Sequence, residues 1–310
     1  MMLFGSSVEL LKPLYEELKW EVFSCDYVQA DETTVPVINR EKHRADKEYL
    51  WMVRSVMEKL VIFHYDGGSR AGVVIESLAN QYNFKGYLQC DGFAGYETAF
   101  KANPDVRLLN CLVHIRRHFE QALDENREMA QHALTQIQHI YKIERQCDEA
   151  GLSYDERRQT RQELSRPIME AMKVWMETEG IKYSPSSLTG KAITYAYTKW
   201  DNIMRCLDDG RLYWDNNLAE NVQRPITLSR KNFLFCGNHE AAANMSVICS
   251  LLATCKAHDV NPRNYLNDVI AQMPYHKNAA HEILLDLLPH KWKLKHPESI
   301  LTKQHGVSDN

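Results

Sequence analysis

The sequence contains no long hydrophobic run. No segment approaches the roughly 18 uncharged apolar residues of a membrane-spanning helix, and the N-terminus has no basic region followed by an apolar one. Neither a membrane span nor a secretory signal is expected. A cytoplasmic location follows from these two absences.

Closely spaced cysteine pairs are also missing. The eight cysteines are scattered along the chain without a single C-x-x-C pair. This spacing argues against a zinc ribbon and against a disulfide scaffold. Reduced and mostly buried thiols are expected instead.

A strong excess of one charge is likewise absent. The 310 residues carry a formal net charge of −4, with 25% charged and 44% hydrophobic side chains. Such a composition is ordinary for a globular protein, and the length allows more than one folded unit. Because net charge averages over the whole chain, a value near zero does not exclude local basic patches that bind nucleic acid.

Hydrophobic periodicity predicts a mixed α/β sheet. An amphipathic helix is predicted from Val8 to Phe23, and a later helix over 71–82 with Ser69 as a possible cap. The last strands follow a helix, so one of them can lie parallel to the first. The predicted strands are 27–31 continued by 35–37, then 49–56, 60–65, 87–92 and 107–112.

Two of these strands share a pattern. Val28-Gln29-Ala30-Asp31 and Leu88-Gln89-Cys90-Asp91 both read aliphatic, Gln, small, Asp, and both are predicted to end at the aspartate. Side chains alternate between the two faces of a strand, so the two aspartates occupy equivalent positions in that alternation. If the strands are neighbours, the carboxylates lie side by side and need a proton or a cation between them. The alternative is two aspartates that merely begin turns.

A third acid opens a later helix. Glu220 follows Asp215 or Asn216 as N-cap, and Leu218 and Val222 are predicted to face the core. The alternative for Glu220 is a solvated first-turn acid favoured by the helix dipole. Pro225 is predicted to kink or end this helix. The polar face contains Asn217, Glu220, Asn221 and Arg224.

The remaining chain is predicted to be mainly helical. Residues 119–207 form an insertion without catalytic features, with a capping box at Ser153 and Glu156. A helix over 240–258 has a predicted apolar stripe at 245, 248, 252 and 255. Shorter helices start at Asn261-Pro262 and at Leu284. The tail from Pro297 is expected to be disordered.

Several stretches match motifs of a known family. They are 30–33 (Ala-Asp-Glu-Thr), 88–96 (Leu-Gln-Cys-Asp-Gly-Phe-Ala-Gly-Tyr), 111–117 (Cys-Leu-Val-His-Ile-Arg-Arg) and above all 215–220 (Asp-Asn-Asn-Leu-Ala-Glu), followed by Arg224-Pro225. With 251–256 and 261–266, they resemble the bacterial DDE transposases of the insertion sequence sixty-six family. The resemblance covers roughly residues 8 to 292.

The resemblance implies an RNase H-like fold, a mixed sheet flanked by helices, with a large all-helical insertion before the helix that carries the last acid. Asp31, Asp91 and Glu220 would be the catalytic, metal-binding triad. They would hold two Mg²⁺ or Mn²⁺ ions, with Asp31 bridging both. The implied domains are an N-terminal helix (1–22), a catalytic core in two parts (23–118 and 211–260), the insertion (119–210), a C-terminal helical segment (261–296) and a disordered tail (297–310).

The resemblance further implies DNA as partner, both transposon ends and target DNA. A homo-oligomer on DNA and accessory proteins encoded by the same element are further expected partners, and a membrane is not. His114 and Asn217 would support the triad from a second layer; the alternative for His114 is a residue that only starts a helix. The clustered basic residues near His114 suit phosphate binding, but such a cluster is often only a solvated helix face. The residues expected to contact phosphates are Arg116, Arg117, Arg224, Arg230 and Lys231.

Two departures from the family pattern leave other functions open. Residues 111–114 read Cys-Leu-Val-His where Cys-Trp-Ala-His is expected, and the zinc-binding and helix-turn-helix part that precedes this region in family members has no counterpart here. A truncated or degenerate copy, or one piece of a split gene, is therefore expected, with residues 1–22 as the remnant of a linker. The alternatives are a nuclease of the same fold without strand transfer and a catalytically inactive DNA-binding remnant.

Overall fold

A computed structural model describes residues 2–229, 234–276 and 279–301. Its strands are β1 (Tyr27–Asn39), β2 (Arg44–Ser55), β3 (Val61–His64), β4 (Gly86–Cys90) and β5 (Val106–Asn110). Its helices are α1 (Met2–Phe23), α2 (Val73–Gln81), α3 (Ala94–Phe100), α4 (Leu112–Ala122), α5 (Arg127–Glu149), α6 (Tyr154–Thr160), α7 (Arg166–Gly180), α8 (Leu188–Met204), α9 (Asn217–Ser229), α10 (His239–Ala257), α11 (Pro262–Gln272), α12 (His281–Asp286) and α13 (Pro289–Lys295).

The five strands form one mixed sheet in the order β3-β2-β1-β4-β5, with helices flanking it. β1 pairs with β2 in antiparallel register from Val28 opposite Ser55 to Asn39 opposite Arg44. β2 pairs with β3 in the same sense. The predicted α/β class is confirmed.

The chain divides into two compact units. The first contains the described residues up to 86, 98–106 and those from 217 onward; the second contains 87–97 and 107–216. The helices predicted as an insertion lie in the second unit, whereas the predicted domain boundaries themselves stay a prediction.

The core of the first unit lies on one face of β1, β2 and β3. Side chains alternate along β1, so that Val35 and Val37 point to this face together with Leu50, Met52 and Phe63 of the neighbouring strands. α9 and α10 cover the face. They contribute Ala219, Ile226 and Ala242 to the same cluster.

Two hydroxyl groups of α10 close the edge of the sheet at β3. Ser250 Oγ accepts from Phe63 N at 2.8 Å, and Thr254 Oγ1 accepts from Val61 N at 3.1 Å. The Thr254 hydroxyl also donates to Val61 O at 3.1 Å. An edge strand otherwise exposes unpaired amides that attract other strands. The helix thus replaces the missing strand partner.

The second unit has a charged group at its centre. Arg161 is 2% exposed and forms an ion pair with Glu144, with Nε to Oε1 at 2.8 Å. It begins a π-helical turn over Arg161–Ser165, between α6 and α7. The capping box predicted at Ser153 and Glu156 is confirmed at the start of α6.

Several sequence predictions are corrected within the sheet and its helices. β1 is not interrupted after Asp31: residues 32–34, between the two predicted parts of the strand, stay paired with β2, and the strand continues to Asn39. Pro225 lies inside α9, so the helix does not end there, and the alternative of a kink stays a prediction. Ser69 does not cap α2, which starts after Gly72. The glycine-rich stretch after Asp91 contains the short helix α3.

The helix faces and the C-terminus also differ from expectation. Of the predicted apolar stripe of α10, Cys255 is buried and Met245 packs partly buried against the core. The helix also buries Val247, Ser250, Leu251 and Thr254, because its hydroxyls face β3. Disorder from Pro297 is wrong for residues 297–301, where Pro297–Ser299 form a 3-10 turn and Ile300 pairs with Val260. Residues 302–310 lie outside the described part. None of the described helices combines the length and the apolar character that crossing a lipid bilayer requires.

We expect Thr254→Val to lower the free energy of unfolding by about 1–3 kcal/mol, because the isosteric change leaves the buried Val61 amide without its acceptor. Urea titration of the full chain measures this loss. Thr135→Val is the matched control, since the Thr135 hydroxyl is exposed and bonds only within its own helix. Equal losses in the two variants would contradict the edge-closing role.

Candidate active site

Asp31 lies inside β1, on the face that packs against α9. It stands opposite Met52 of β2, which belongs to the core cluster of that face. Its Oδ1 accepts from the amide of Glu32 at 2.9 Å. Glu32 points to the other face, where it pairs with Arg70 at 2.7 Å. The ladder with β2 on both sides of Asp31 fixes the direction of its carboxylate.

Glu220 lies in the first turn of α9, where the helix dipole favours an acid. The preceding amide, Ala219 N, donates to Oε1 of Gln29 at 3.1 Å. Gln29 is completely buried and stands two residues before Asp31 on the same face of β1. One strand repeat of two residues spans about 7 Å. The structure therefore brings the start of the Glu220 helix beside the strand segment that carries Asp31.

Asp91 belongs to the second unit and directly follows β4, as predicted. Its Oδ1 accepts from Phe93 N at 2.8 Å, which closes an Asx turn. Its carbonyl oxygen accepts from Nδ2 of the buried Asn110 at 2.7 Å. Asn202 of α8 in turn donates to Asn110 Oδ1 at 2.9 Å. Convergence of Asp91 with Asp31 and Glu220 stays a prediction.

A second buried glutamine precedes Asp91 as Gln29 precedes Asp31. Gln89 Nε2 donates to the carbonyl oxygen of Tyr213 at 2.7 Å. Each glutamine therefore bonds the backbone of the segment 213–219, which leads into α9. The shared Gln-x-Asp pattern contained this signal, because Gln and Asp two residues apart lie on one face of a strand. Sequence reasoning used only the aspartates.

The helix start differs in detail from the prediction. α9 begins at Asn217, and Ala219 rather than Leu218 is its fully buried residue. The side chain of Asp215 accepts from the hydroxyl of Tyr141 at 3.3 Å. Both polar atoms of the buried Asn216 side chain lack a hydrogen-bond partner among the described residues.

The predicted DNA-contacting residues have different surroundings. Arg116 is exposed on α4 and pairs with Glu120 at 2.8 Å. Arg117 is exposed beside His114, with Nη1 and Nε2 3.4 Å apart. Arg224 is exposed on α9, one turn after Glu220. Asn217 is the exposed first residue of that helix. Arg230 and Lys231 lie outside the described residues.

The donor set of the three acids fits a hard divalent cation. Carboxylate oxygens are the ligands that Mg²⁺ and Mn²⁺ prefer. The orphaned amide of Asn216, one residue before α9, is typical of a site that water or an ion completes. Carboxylates of this kind fit the divalent metal that the transposase family generally uses, while the meeting of all three at one site stays a prediction.

A separate group of three possible ligands exists among the described residues of the first unit, formed by Glu17, Glu21 and His281. His281 Nδ1 lies 2.7 Å from Glu17 Oε1. The hydrogen bond and charge of Glu17 raise the pKa of His281. The 2.7 Å contact and the raised pKa favour an ion pair over a metal site in this group.

The mixed sheet, its flanking helices and the position of Glu220 at a helix start define an RNase H-like transposase fold. Residues 2–244 match the model of the transposase IS66 family, and residues 250–290 match the IS66 C-terminal element. The chain belongs to the IS66 transposase family. The resemblance inferred from the motifs is confirmed.

Curated relatives come from Sinorhizobium fredii (strain NBRC 101917 / NGR234). Uncharacterized protein y4hP is 29% identical over 311 residues, which is 93% of this chain and 55% of the relative. Uncharacterized protein y4qI is 30% identical over 261 residues, or 79% of this chain and 47% of the relative. The chain thus spans about half the length of the curated relatives it matches.

We expect Gln29→Met to loosen the start of α9, because the buried Ala219 amide loses its acceptor while the volume at residue 29 is kept. Leaving such an amide unpaired costs about 1–3 kcal/mol. Hydrogen–deuterium exchange of peptides covering 217–224 measures the change, and faster exchange is the expected result. Gln159→Met, at an exposed bond to Glu163, is the control. Unchanged exchange in the Gln29 variant would refute the tether.

Proposed function

We propose that the chain is a DDE transposase that cleaves DNA strands at transposon ends and transfers them into target DNA. Water breaks the phosphodiester bond at the transposon end and leaves a 3′-hydroxyl. That hydroxyl then displaces the 3′-oxygen of a target phosphodiester in line, without a covalent protein intermediate. Family membership supports this proposal. The observation that carries it is the bond between Ala219 N and Gln29 Oε1, which puts the Glu220 helix against the Asp31 strand.

The three acids have the same task in the proposed mechanism. Two divalent ions, Mg²⁺ or Mn²⁺, would supply Lewis-acid activation of the attacking oxygen and charge neutralisation at the leaving oxygen. The carboxylates of Asp31, Asp91 and Glu220 would hold these ions. The β1 ladder, the Asn110 contact and the Gln29 bond hold the backbone at Asp31, at Asp91 and next to Glu220.

Exposed arginines have a different role. Arg224 lies four residues after Glu220, so both side chains lie on one side of α9. Its guanidinium is suited to bidentate contact with a phosphate. Arg116, Arg117, Arg230 and Lys231 are proposed to hold the DNA backbone in the same manner, and His114 and Asn217 to support the acids.

The test uses the full chain with pre-cleaved transposon ends, target DNA and Mg²⁺. We expect joined products, and we expect Asp31→Asn, Asp91→Asn and Glu220→Gln each to reduce joining by roughly 10³-fold or more. Loss of one metal-binding carboxylate removes several kcal/mol of transition-state stabilisation. DNA binding, measured by fluorescence anisotropy, should persist in all three variants.

Controls separate this function from the alternatives. Asp105→Asn and Glu149→Gln remove exposed acids from a loop and from the end of α5 and should leave joining unchanged. Hydrolysis without joined products in the unaltered chain would instead identify a nuclease. Absence of both, with salt-sensitive DNA binding retained, would identify an inactive remnant. Either result overturns the proposal.

Arg224→Gln should weaken DNA binding equally for all sequences, because a phosphate contact carries no base information. The slope of log K against log salt should fall in magnitude by about 0.9 for the one lost contact. Anisotropy titrations from low to moderate salt measure this slope. Arg263→Gln removes the same charge from an exposed position of α11. A slope that changes equally in both variants would contradict a specific role for Arg224.

A further inference from the structure

We propose that the helical insertion of the second unit is a positioning scaffold for the candidate active site. Its helices α5 to α8 hold the backbone at Asp91 and hold the segment 206–216, which leads directly into α9 and Glu220. The positioning residues are Asn202, Tyr141 and Arg161. This inference rests on the proposed function, because it concerns where the catalytic acids are held.

The first contact acts on Asp91 through a relay of two amides. Asn202 Nδ2 donates to Asn110 Oδ1 at 2.9 Å, and Asn110 Nδ2 donates to Asp91 O at 2.7 Å. Asn110 is 3% exposed. A side-chain amide can turn over and exchange its oxygen and nitrogen. Because Asn202 offers a donor, it fixes the Asn110 amide in the orientation that gives Asp91 O a donor.

The second contact comes from the same helix and lies beside Asp91. The hydroxyl of Tyr195 packs against Gly92, where an added Cβ would stand 2.1 Å from that oxygen. Residue 92 therefore has no room for a side chain. α8 thus supports the turn after β4 from two positions.

The third contact holds the beginning of the lead-in segment. Arg161 Nη1 donates to the carbonyl oxygens of Cys206 at 2.9 Å and Asp209 at 3.1 Å. Its guanidinium also lies over the Trp214 ring, 5.5 Å from the ring centroid. Burial alone would raise the pKa of Glu144, but the bonds and charge of Arg161 lower it on balance. The ion pair therefore stays charged and keeps Arg161 in place.

The fourth contact reaches the end of the lead-in segment. Tyr141 OH of α5 donates to Asp215 Oδ2 at 3.3 Å, two residues before α9 begins. Burial and the charge of Asp215 raise the pKa of Tyr141, so the phenol remains a donor. Leu112 N and Gln89 Nε2 bind the carbonyl oxygens of Trp214 and Tyr213. Successive residues before the helix are thus each held.

These contacts favour positioning over simple packing. A buried ion pair is seldom the most stable solution, since apolar residues of similar volume often replace it without loss. A π-helical turn is rare and is often found at functional sites, and here it begins at Arg161. Five bonds from the insertion end on the backbone or side chains of 206–216, or on Asn110, which binds Asp91; the fifth is from Gln162 Nε2 to Leu207 O at 2.6 Å. An insertion that only added bulk would not need them.

Asn202→Asp and Asn202→Ala test the relay. The alanine variant only loses a donor, whereas the aspartate offers acceptors and turns the Asn110 amide, so that Asn110 Oδ1 faces Asp91 O. We therefore expect the aspartate variant to be the more impaired. Outer contacts of metal ligands are typically worth about 10–100-fold in activity or metal affinity. The expected result is a lower kcat for joining and a higher Mg²⁺ concentration for half-maximal rate, with an unchanged KM for DNA.

Tyr141→Phe tests the lead-in segment in the same assays, with a smaller loss expected because one longer bond is removed. Tyr197→Phe makes the same change on α8, where the hydroxyl bonds only Glu177. Asn126→Asp is the matched control for Asn202→Asp, because both Asn and Asp at residue 126 can cap α5. Both controls should behave as the unaltered chain.

Hydrogen–deuterium exchange supplies a readout that does not need activity. Peptides covering 87–97 should exchange faster in the Asn202 variants, and peptides covering 209–220 faster in Tyr141→Phe. If Asp31→Asn is inactive while the Asn202 and Tyr141 variants match their controls in rate, Mg²⁺ dependence and exchange, the positioning role is overturned. If instead Asp31→Asn stays active, the proposed function fails, and the exchange data alone decide whether the insertion holds these segments.

Discussion

The hydrogen bond from Ala219 N to the buried oxygen of Gln29 is the constraint on which the candidate site depends. It joins residues 190 positions apart in the sequence. Neither group can be satisfied by water there, because Gln29 and Ala219 are both completely buried. The first turn of α9 therefore packs against β1 at one defined position along the strand. A sliding of α9 along the sheet would leave a buried amide and a buried carbonyl oxygen unpaired.

Such a constraint makes a large insertion tolerable. Closing a longer loop costs free energy only slowly with its length, so many residues can separate two segments that a few specific bonds hold. The larger demand is that the chain segments before and after the insertion keep a fixed orientation. The buried pair of Arg161 and Glu144, and the carbonyl oxygens that Arg161 binds, meet this requirement within the second unit.

Local signals in the sequence predicted most elements and the family, but not the contacts that tie them together. The capping box at Ser153 and the N-cap at Asn261 depend on residues within one turn, and both were predicted correctly. The unbroken course of β1 was not, because pairing with β2 keeps residues 32–34 in the strand between its two predicted parts. The buried face of α10 was missed, since Ser250 counts as polar until β3 offers its amides. Both misses concern hydrogen bonds to residues far away in the sequence.

The three acids stand on three kinds of backbone, and the freedom of each explains where supporting bonds occur. Asp31 lies inside a long paired strand, where the ladder alone fixes its direction. Asp91 follows the last residue of β4, so its carbonyl needs the Asn110 amide. Glu220 lies in a first helical turn, whose amides have no partners within the helix, and Gln29 supplies one. At Asp91 and Glu220, the secondary structure leaves nearby backbone groups without hydrogen-bond partners. Polar side chains therefore supply the missing bonds at these two acids.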